Sequence, residues 1–167
     1  MKSGVNVTRD NTAQLAKALR ELVQQQVLVG IPAEQAPREG EGINNAELGY
    51  IHEFGAPEAN IPARPFLVPG VESAKDEIAK RYKAGAKAVL EGRTTAEQVH
   101  HGVGIVAVNA VKEKITDGPF APLKPATVAA RKRKHKGRTD DNPTPLVDTG
   151  QLKASINYVV RPGKGGR

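Results

Sequence analysis

Two consecutive apolar stripes at helical spacing constrain this chain most. Val71, Ala74, Ile78, Tyr82, Ala86 and Val89 recur at helical intervals as far as Gly92, with Lys75, Lys80, Arg81, Lys83 and Lys87 mostly on the opposite side. Thr94-Thr-Ala-Glu97 has the spacing of a capping box and opens a second stripe, Val99, Val103, Val106, Ala110 and Val111, which Gly118-Pro119 stops. The pattern predicts a helical hairpin. Gly102 and Gly104 inside the second helix each cost about 1 kcal/mol relative to Ala, which points to a close approach of another backbone.

Around this hairpin the elements are short. A first helix is predicted over about 11–26, with Leu15, Ala18, Leu19 and Leu22 on one face, Lys17, Arg20 and Glu21 on the other, and Asn11 with Gln14 as a capping box. Val27-Leu-Val-Gly-Ile31 reads as a buried strand ended by Pro32. Residues 32–43 mix Pro, Gly and acidic groups without periodicity and read as an exposed loop. Asn45 to Phe54 suits a short helix closed by Gly55, with Leu48, Ile51 and His52 inward. Pro62 and Pro65 make Ile61 to Phe66 a stiff, extended connector. Residues 119–145 read as an exposed arm with a short helix at Ala126 to Lys132. Asp148-Thr-Gly-Gln151 has capping-box spacing, Ile156 to Val160 alternates like a strand, and 161–167 reads as a flexible tail. The expected fold is one α+β domain over 1–167, with two or three helices packed on one face of a small, mostly antiparallel β-sheet and with long loops.

Aromatic residues make up only 4% of the chain, so the core rests on Val, Leu, Ile and Ala and is thin for the length. Burial between copies would complete it, so a homo-oligomer is expected. The chain has no cysteine, which removes disulfides and thiolate metal sites, and no segment approaches the roughly 20 apolar residues of a membrane span. The N-terminus shows no signal-peptide run, and the chain reads as a protein of the cytoplasm in which it is made. Charge is uneven: residues 118–167 carry 11 Lys+Arg against 3 Asp+Glu, and the preceding residues 14 against 15. Lys124, Arg131, Lys132, Arg133, Lys134, Lys136 and Arg138 form a run without an acidic residue. It suits phosphate backbone, an acidic protein face or plain solvent, and it has no aromatics for reading bases.

Candidate chemistry is sparse. His52-Glu53 lacks the second histidine of a zinc helix, since Ala56 stands there. His100 and His101 are adjacent, point about 100° apart on a helix and read as a surface pair. Asp140-Asp141 reads as a turn. No Gly-x-Ser-x-Gly, phosphate-binding loop or dinucleotide fingerprint occurs, so neither enzyme nor cofactor is expected. Arg64 between its prolines is either a structural ion-pair former or an outward interface anchor, with the interface preferred. Phe54, Phe66 and Leu67 read as core.

Gly49-Tyr-Ile-His-Glu-Phe-Gly55, Ile61-Pro-Ala-Arg-Pro-Phe-Leu67 and Leu146-Val-Asp-Thr-Gly-Gln-Leu-Lys-Ala-Ser-Ile156 together resemble the tail-completion, head-to-tail joining or virion morphogenesis proteins of tailed bacteriophages. The resemblance spans 11–160. It implies a structural virion protein that forms a ring, commonly hexameric, in the neck, and that meets a head connector or adaptor and a tail tube or terminator. It implies no catalytic, cofactor or metal residues. Interface candidates are Tyr50, Glu53, Arg64, Phe66, Asp148 and Thr149. Rival readings are a nucleic-acid-binding protein acting through the basic run, a tail terminator, and a non-virion assembly factor.

Overall fold

The computed structural model describes residues 12–32, 42–134 and 144–163. In chain order they form α1 (Thr12–Gln24), β1 (Gln25–Gly30), α2 (Asn45–Phe54), a 3-10 turn (Pro57–Ala59), α3 (Leu67–Ser73), α4 (Lys75–Leu90), α5 (Ala96–Asp117), α6 (Pro125–Lys134), α7 (Gln151–Ser155) and β2 (Asn157–Pro162). The class is α+β, but helix dominates more than expected. The sheet among the described residues is only the antiparallel pair β1–β2, in register from Gln25↔Pro162 to Gly30↔Asn157.

The centre of the fold is α5. Thr95 Oγ1 accepts from Gln98 N and Gln98 Oε1 accepts from Thr95 N, both at 3.2 Å, so the capping box lies one residue later than the expected Thr94/Glu97 pair. Gly118 closes the helix from a positive φ of 63°, its N–H donating to Lys114 O. Three neighbours pack on α5 through glycine. A Cβ at Gly70 of α3 would lie 2.7 Å from Val111 Cα, one at Gly85 of α4 would lie 2.5 Å from Val99 Cγ1, and one at Gly104 would lie 2.3 Å from the Tyr158 ring of β2. The expected hairpin of α4 and α5 is therefore present, with Gly85 as its notch. The single helix expected before it is broken at Ala74, where ψ rises to 2°, so α3 and α4 are separate. What approaches Gly104 is an aromatic ring rather than a backbone, and nothing comes within 4 Å of a Cβ at Gly102.

Phe66, Val108, Val111, Ile115, Leu146, Leu152 and Ile156 form the core. Six of these seven are aliphatic residues from α5 or the closing segment 146–156, which joins the two ends of the sequence pattern. No residue of α1 is buried, and Leu15 and Leu19 of its expected inner face are 37% and 41% exposed. Phe54 is 63% exposed, which corrects its assignment to the core: the buried stripe of α2 is Asn45, Gly49 and Glu53, one face away from the expected Leu48, Ile51 and His52. The cause is Gly49, which admits Ile31 so closely that a Cβ would sit 2.8 Å from Ile31 Cδ1.

The boundaries of loop, arm and tail shift as well. Arg161 and Pro162 pair within β2 and Gly163 N donates to Gln24 O at 2.6 Å, so the tail begins later than residue 161. Phe120 packs against the core and the arm's helix extends to Lys134. The Asn11 cap, most of the 32–43 loop and the 135–143 stretch with Lys136, Arg138 and the Asp140-Asp141 turn lie outside the described residues.

The two α5 glycines predict opposite signs. Gly102→Ala should stabilise by up to about 1 kcal/mol through helix propensity alone. Gly104→Ala should destabilise by about 1–3 kcal/mol because the new methyl meets the Tyr158 ring. Urea denaturation of both variants checks this, and equal effects would refute the notch.

Candidate interface site and the frame beneath it

The two sequence motifs 49–55 and 61–67 are joined by one carboxylate. Glu53, on the buried face of α2, accepts Phe66 N (2.7 Å) and Leu67 N (2.8 Å) at Oε2 and Val68 N (3.0 Å) at Oε1. A helix starts with four amides that have no partner inside it. In α3 three of them go to Glu53, the fourth position is Pro69, which has no N–H, and Gly70 N begins the ladder on Phe66 O. Every initial donor is thereby accounted for, and the carboxylate sits at the positive end of the helix dipole. Between the two segments Gly55 turns at φ 77°, and a Cβ there would lie 2.9 Å from Ala63 N, so glycine is required on both counts. Ala56 and Ile61 pair across the turn, and Arg64 N donates to His52 O at 2.6 Å.

Arg64 does not point outward. It is 5% exposed, its Nε donates to Ala121 O at 2.7 Å and its Nη2 to Pro122 O at 3.0 Å. The planar fork thus holds two successive carbonyls of the chain leaving α5, and the interface preference for Arg64 is corrected to an internal clamp. Burial, and then repulsion from Arg131, push its pKa below the usual guanidinium value. Phe66 is likewise internal, at 1% exposure, and Glu53 is committed to the α3 cap. Three of the six interface candidates therefore serve the frame.

The other three remain at the surface or near it. Tyr50 is 65% exposed and packs at a tilt against Phe54, ring centroids 4.8 Å apart, so two of the chain's few aromatics form an outward pair on α2. Thr149 is exposed and Asp148 half-buried, and Gly150 rather than Asp148 takes the cap position of α7. A groove of about 300 Å³ separates α2 from α6. Leu48 and His52 line one wall, Arg131 and Lys134 the other, and Asp148 to Leu152 the floor, so the first and last motifs meet there beside the basic run.

The basic run divides into two groups. Lys124 Nζ donates to Asn60 O at 2.8 Å, and Arg131 Nη1 donates to Thr144 O (3.0 Å) and Val147 O (3.1 Å) while its Nε lies 3.8 Å from Asp148. These two tie the arm to other parts of the fold, and only Arg131 does so at the groove. Lys132, Arg133 and Lys134 are exposed on the last turn of α6 and present the charge.

The histidine pair is not a surface pair. His100 is 1% exposed, its Nδ1 lies 3.0 Å from Tyr82 Oη of α4, and its Nε2 makes no well-aligned hydrogen bond among the described residues. His101 Nδ1 lies 3.0 Å from Tyr158 Oη of β2. Adjacent rings thus bind α5 to two different elements. Composition hides this, because histidine and tyrosine at these positions show no apolar periodicity. Burial lowers the pKa of His100, outweighing the opposite effect of the Glu21 and Leu22 carbonyls, and burial raises that of Tyr82.

Glu53→Gln keeps one acceptor and turns an amide donor toward the α3 amides, so a loss of about 1–3 kcal/mol is expected in urea denaturation. A change within about 0.5 kcal/mol would remove the cap from its central place. For His100 the sign follows from its lowered folded pKa. The unfolded chain protonates first as pH falls below about 6.5, so stability present above that pH is lost on acidification. Thermal melts should show this slope between neutral pH and pH about 5, flattened in His100→Gln. An unflattened slope would assign it to other groups.

The chain matches no protein-family model, no curated protein and no solved structure.

Proposed function

We propose that this chain is a non-catalytic structural protein of a tailed-phage virion, forming a homo-oligomeric ring, hexameric as in the proteins it resembles, in the neck. There it completes the tail and meets a head connector or adaptor on one side and a tail tube or terminator on the other. The single observation that carries the proposal is the joint placement of the three signature segments. Residues 49–55 and 61–67 close on each other through Glu53, and residues 146–152 face residues 48–52 across one groove. Sequence similarity in these segments is therefore similarity of one connected frame, which favours a shared fold over a chance coincidence of short motifs. The surface around that frame has the chemistry of a contact face: an exposed aromatic pair and a cationic helix end.

The cationic end also supports a second reading, backbone contact with DNA. Lys132, Arg133 and Lys134 offer charge without base-reading side chains. As a neck protein the chain would belong to the virion, after synthesis in the bacterial cytoplasm. No described helix is long and apolar enough to cross a membrane.

Imaging of assembled particles by electron cryomicroscopy tests the proposal: a symmetric ring of this chain between connector and tail is expected, and its absence from the virion would overturn the neck role. A mutational test separates the two groups of basic residues. Arg133→Ala should leave stability within about 0.5 kcal/mol. Arg131→Ala should cost about 1–3 kcal/mol, because it strands the carbonyls of Thr144 and Val147. If Arg133→Ala also lowers the salt slope of DNA binding by nearly one, at about 0.9 per phosphate contact, the nucleic-acid reading gains over the neck reading.

A further inference from the structure

The two strands present unequal edges. Gly163 N–H donates to Gln24 O, and Tyr158 N–H is held by Asn157 Oδ1 at 2.8 Å. Bonded pairs alternate along an antiparallel ladder, so the β1–β2 bonds run at Gln26/Arg161, Leu28/Val159 and Gly30/Asn157. Tyr158, Val160 and Pro162 therefore face away from β1, and Gln25, Val27 and Val29 face away from β2. On the β2 side Asn157 occupies the Tyr158 donor and Pro162 has none, which leaves Val160 alone to donate. That edge is blunted. The β1 edge keeps both N–H and C=O of Gln25, Val27 and Val29, and the strand Gln-Gln-Val-Leu-Val-Gly carries no Pro, Lys or other charge to deter pairing.

We propose that the β1 edge is the pairing seam between two copies of this chain, joined antiparallel about a two-fold axis at Val27. Val27 then faces its own counterpart and Gln25 faces Val29 of the other copy, each facing pair exchanging both N–H···O bonds. The edge is complementary to itself, whereas head-to-tail addition would have to use the blunted β2 edge. The product is a four-stranded sheet ordered β2-β1-β1-β2. Two further features lie along the seam. Val23 and Leu28 are 82% and 43% exposed at the end of α1 and on the outer sheet face, and Gln25 Oε1 is buried without a donor among the described residues. The dimer does not rest on the neck role: a ring with unlike neighbours on its two sides has no two-fold axis in its plane, so it would be built from single copies, with the pair as the form outside the particle.

Light scattering coupled to size exclusion, at micromolar concentration, should give twice the 17.8 kDa of one chain for the wild type. Val27→Pro removes an outward donor while sparing the β1–β2 ladder, so it should give one chain's mass with an unchanged circular dichroism spectrum. A second measurement stands if that variant misfolds. The chain has no cysteine, so Gln26→Cys chains mixed with Leu28→Cys chains should oxidise to a mixed disulfide dimer, these residues facing each other across the seam at about 4.5 Å between Cα atoms. A monomeric wild type would overturn the seam, as would a dimer that keeps its mass in Val27→Pro and forms no mixed disulfide. A larger ring insensitive to Val27→Pro and without the mixed disulfide would overturn the seam while leaving the neck role standing.

Discussion

The contact between the Glu53 carboxylate and the first turn of α3 is the point from which the rest of the structure can be derived. A helix beginning at Leu67 brings initial amides that water cannot reach once Phe66 is buried, and an unsatisfied buried donor costs about 1–3 kcal/mol. One carboxylate offers enough lone pairs for three donors, and Pro69 removes the need for a fourth. That economy fixes where α2 stops, because Glu53 must reach α3, and it fixes the turn at Gly55, because the returning chain passes against it. Phe66 is then delivered into the core and Arg64 onto the carbonyls of Ala121 and Pro122. A surface-looking string of polar and proline residues is in this way an interior part.

A chain with few aromatics must close its core by bringing backbones together, and α5 shows how. Gly70, Gly85 and Gly104 remove side chains where α3, α4 and β2 come nearest, so small aliphatic residues such as Val99 and Val111 fill the remaining space. The cost in helix propensity at Gly104 is offset by the Tyr158 ring seated over it. His101 then holds that ring's hydroxyl, and His100 performs the same service for Tyr82 one residue earlier. Packing by glycine notch and polar latch replaces packing by large side chains.

What the sequence made legible followed from periodicity and caps. The α4–α5 hairpin, α2 with its closing Gly55, the stop at Gly118 and the two strands were all readable, because 3.6-residue stripes and glycine or proline stops act locally. Arg64, Glu53 and His100 were not, because each has its partner far along the chain, and burial reverses the usual expectation for a polar side chain. The Thr95/Gln98 box lay hidden behind an equally good Thr94/Glu97 pattern, which only tertiary placement could distinguish. Phe54 was misplaced for the converse reason: hydrophobicity argues for the interior, but the face of α2 was already assigned by Gly49 and Glu53.

This division bears on how function can be read from such motifs. Glu53, Gly55, Arg64 and Phe66 are spent on joining α2, α3 and the chain after α5, so their recurrence in other proteins would report the frame and not the partner. Under the proposed function, partner choice would fall instead to groups the frame leaves outside: the Tyr50–Phe54 pair, the last turn of α6 and the β1 edge. These differ in chemistry, being aromatic, cationic and backbone hydrogen-bonding, and so they suit different neighbours. The proposed function, with further copies and two unlike assemblies as neighbours, would call for that many distinct faces. In this chain they are placed on separate elements around a single core, so each can change without disturbing the cap at Glu53.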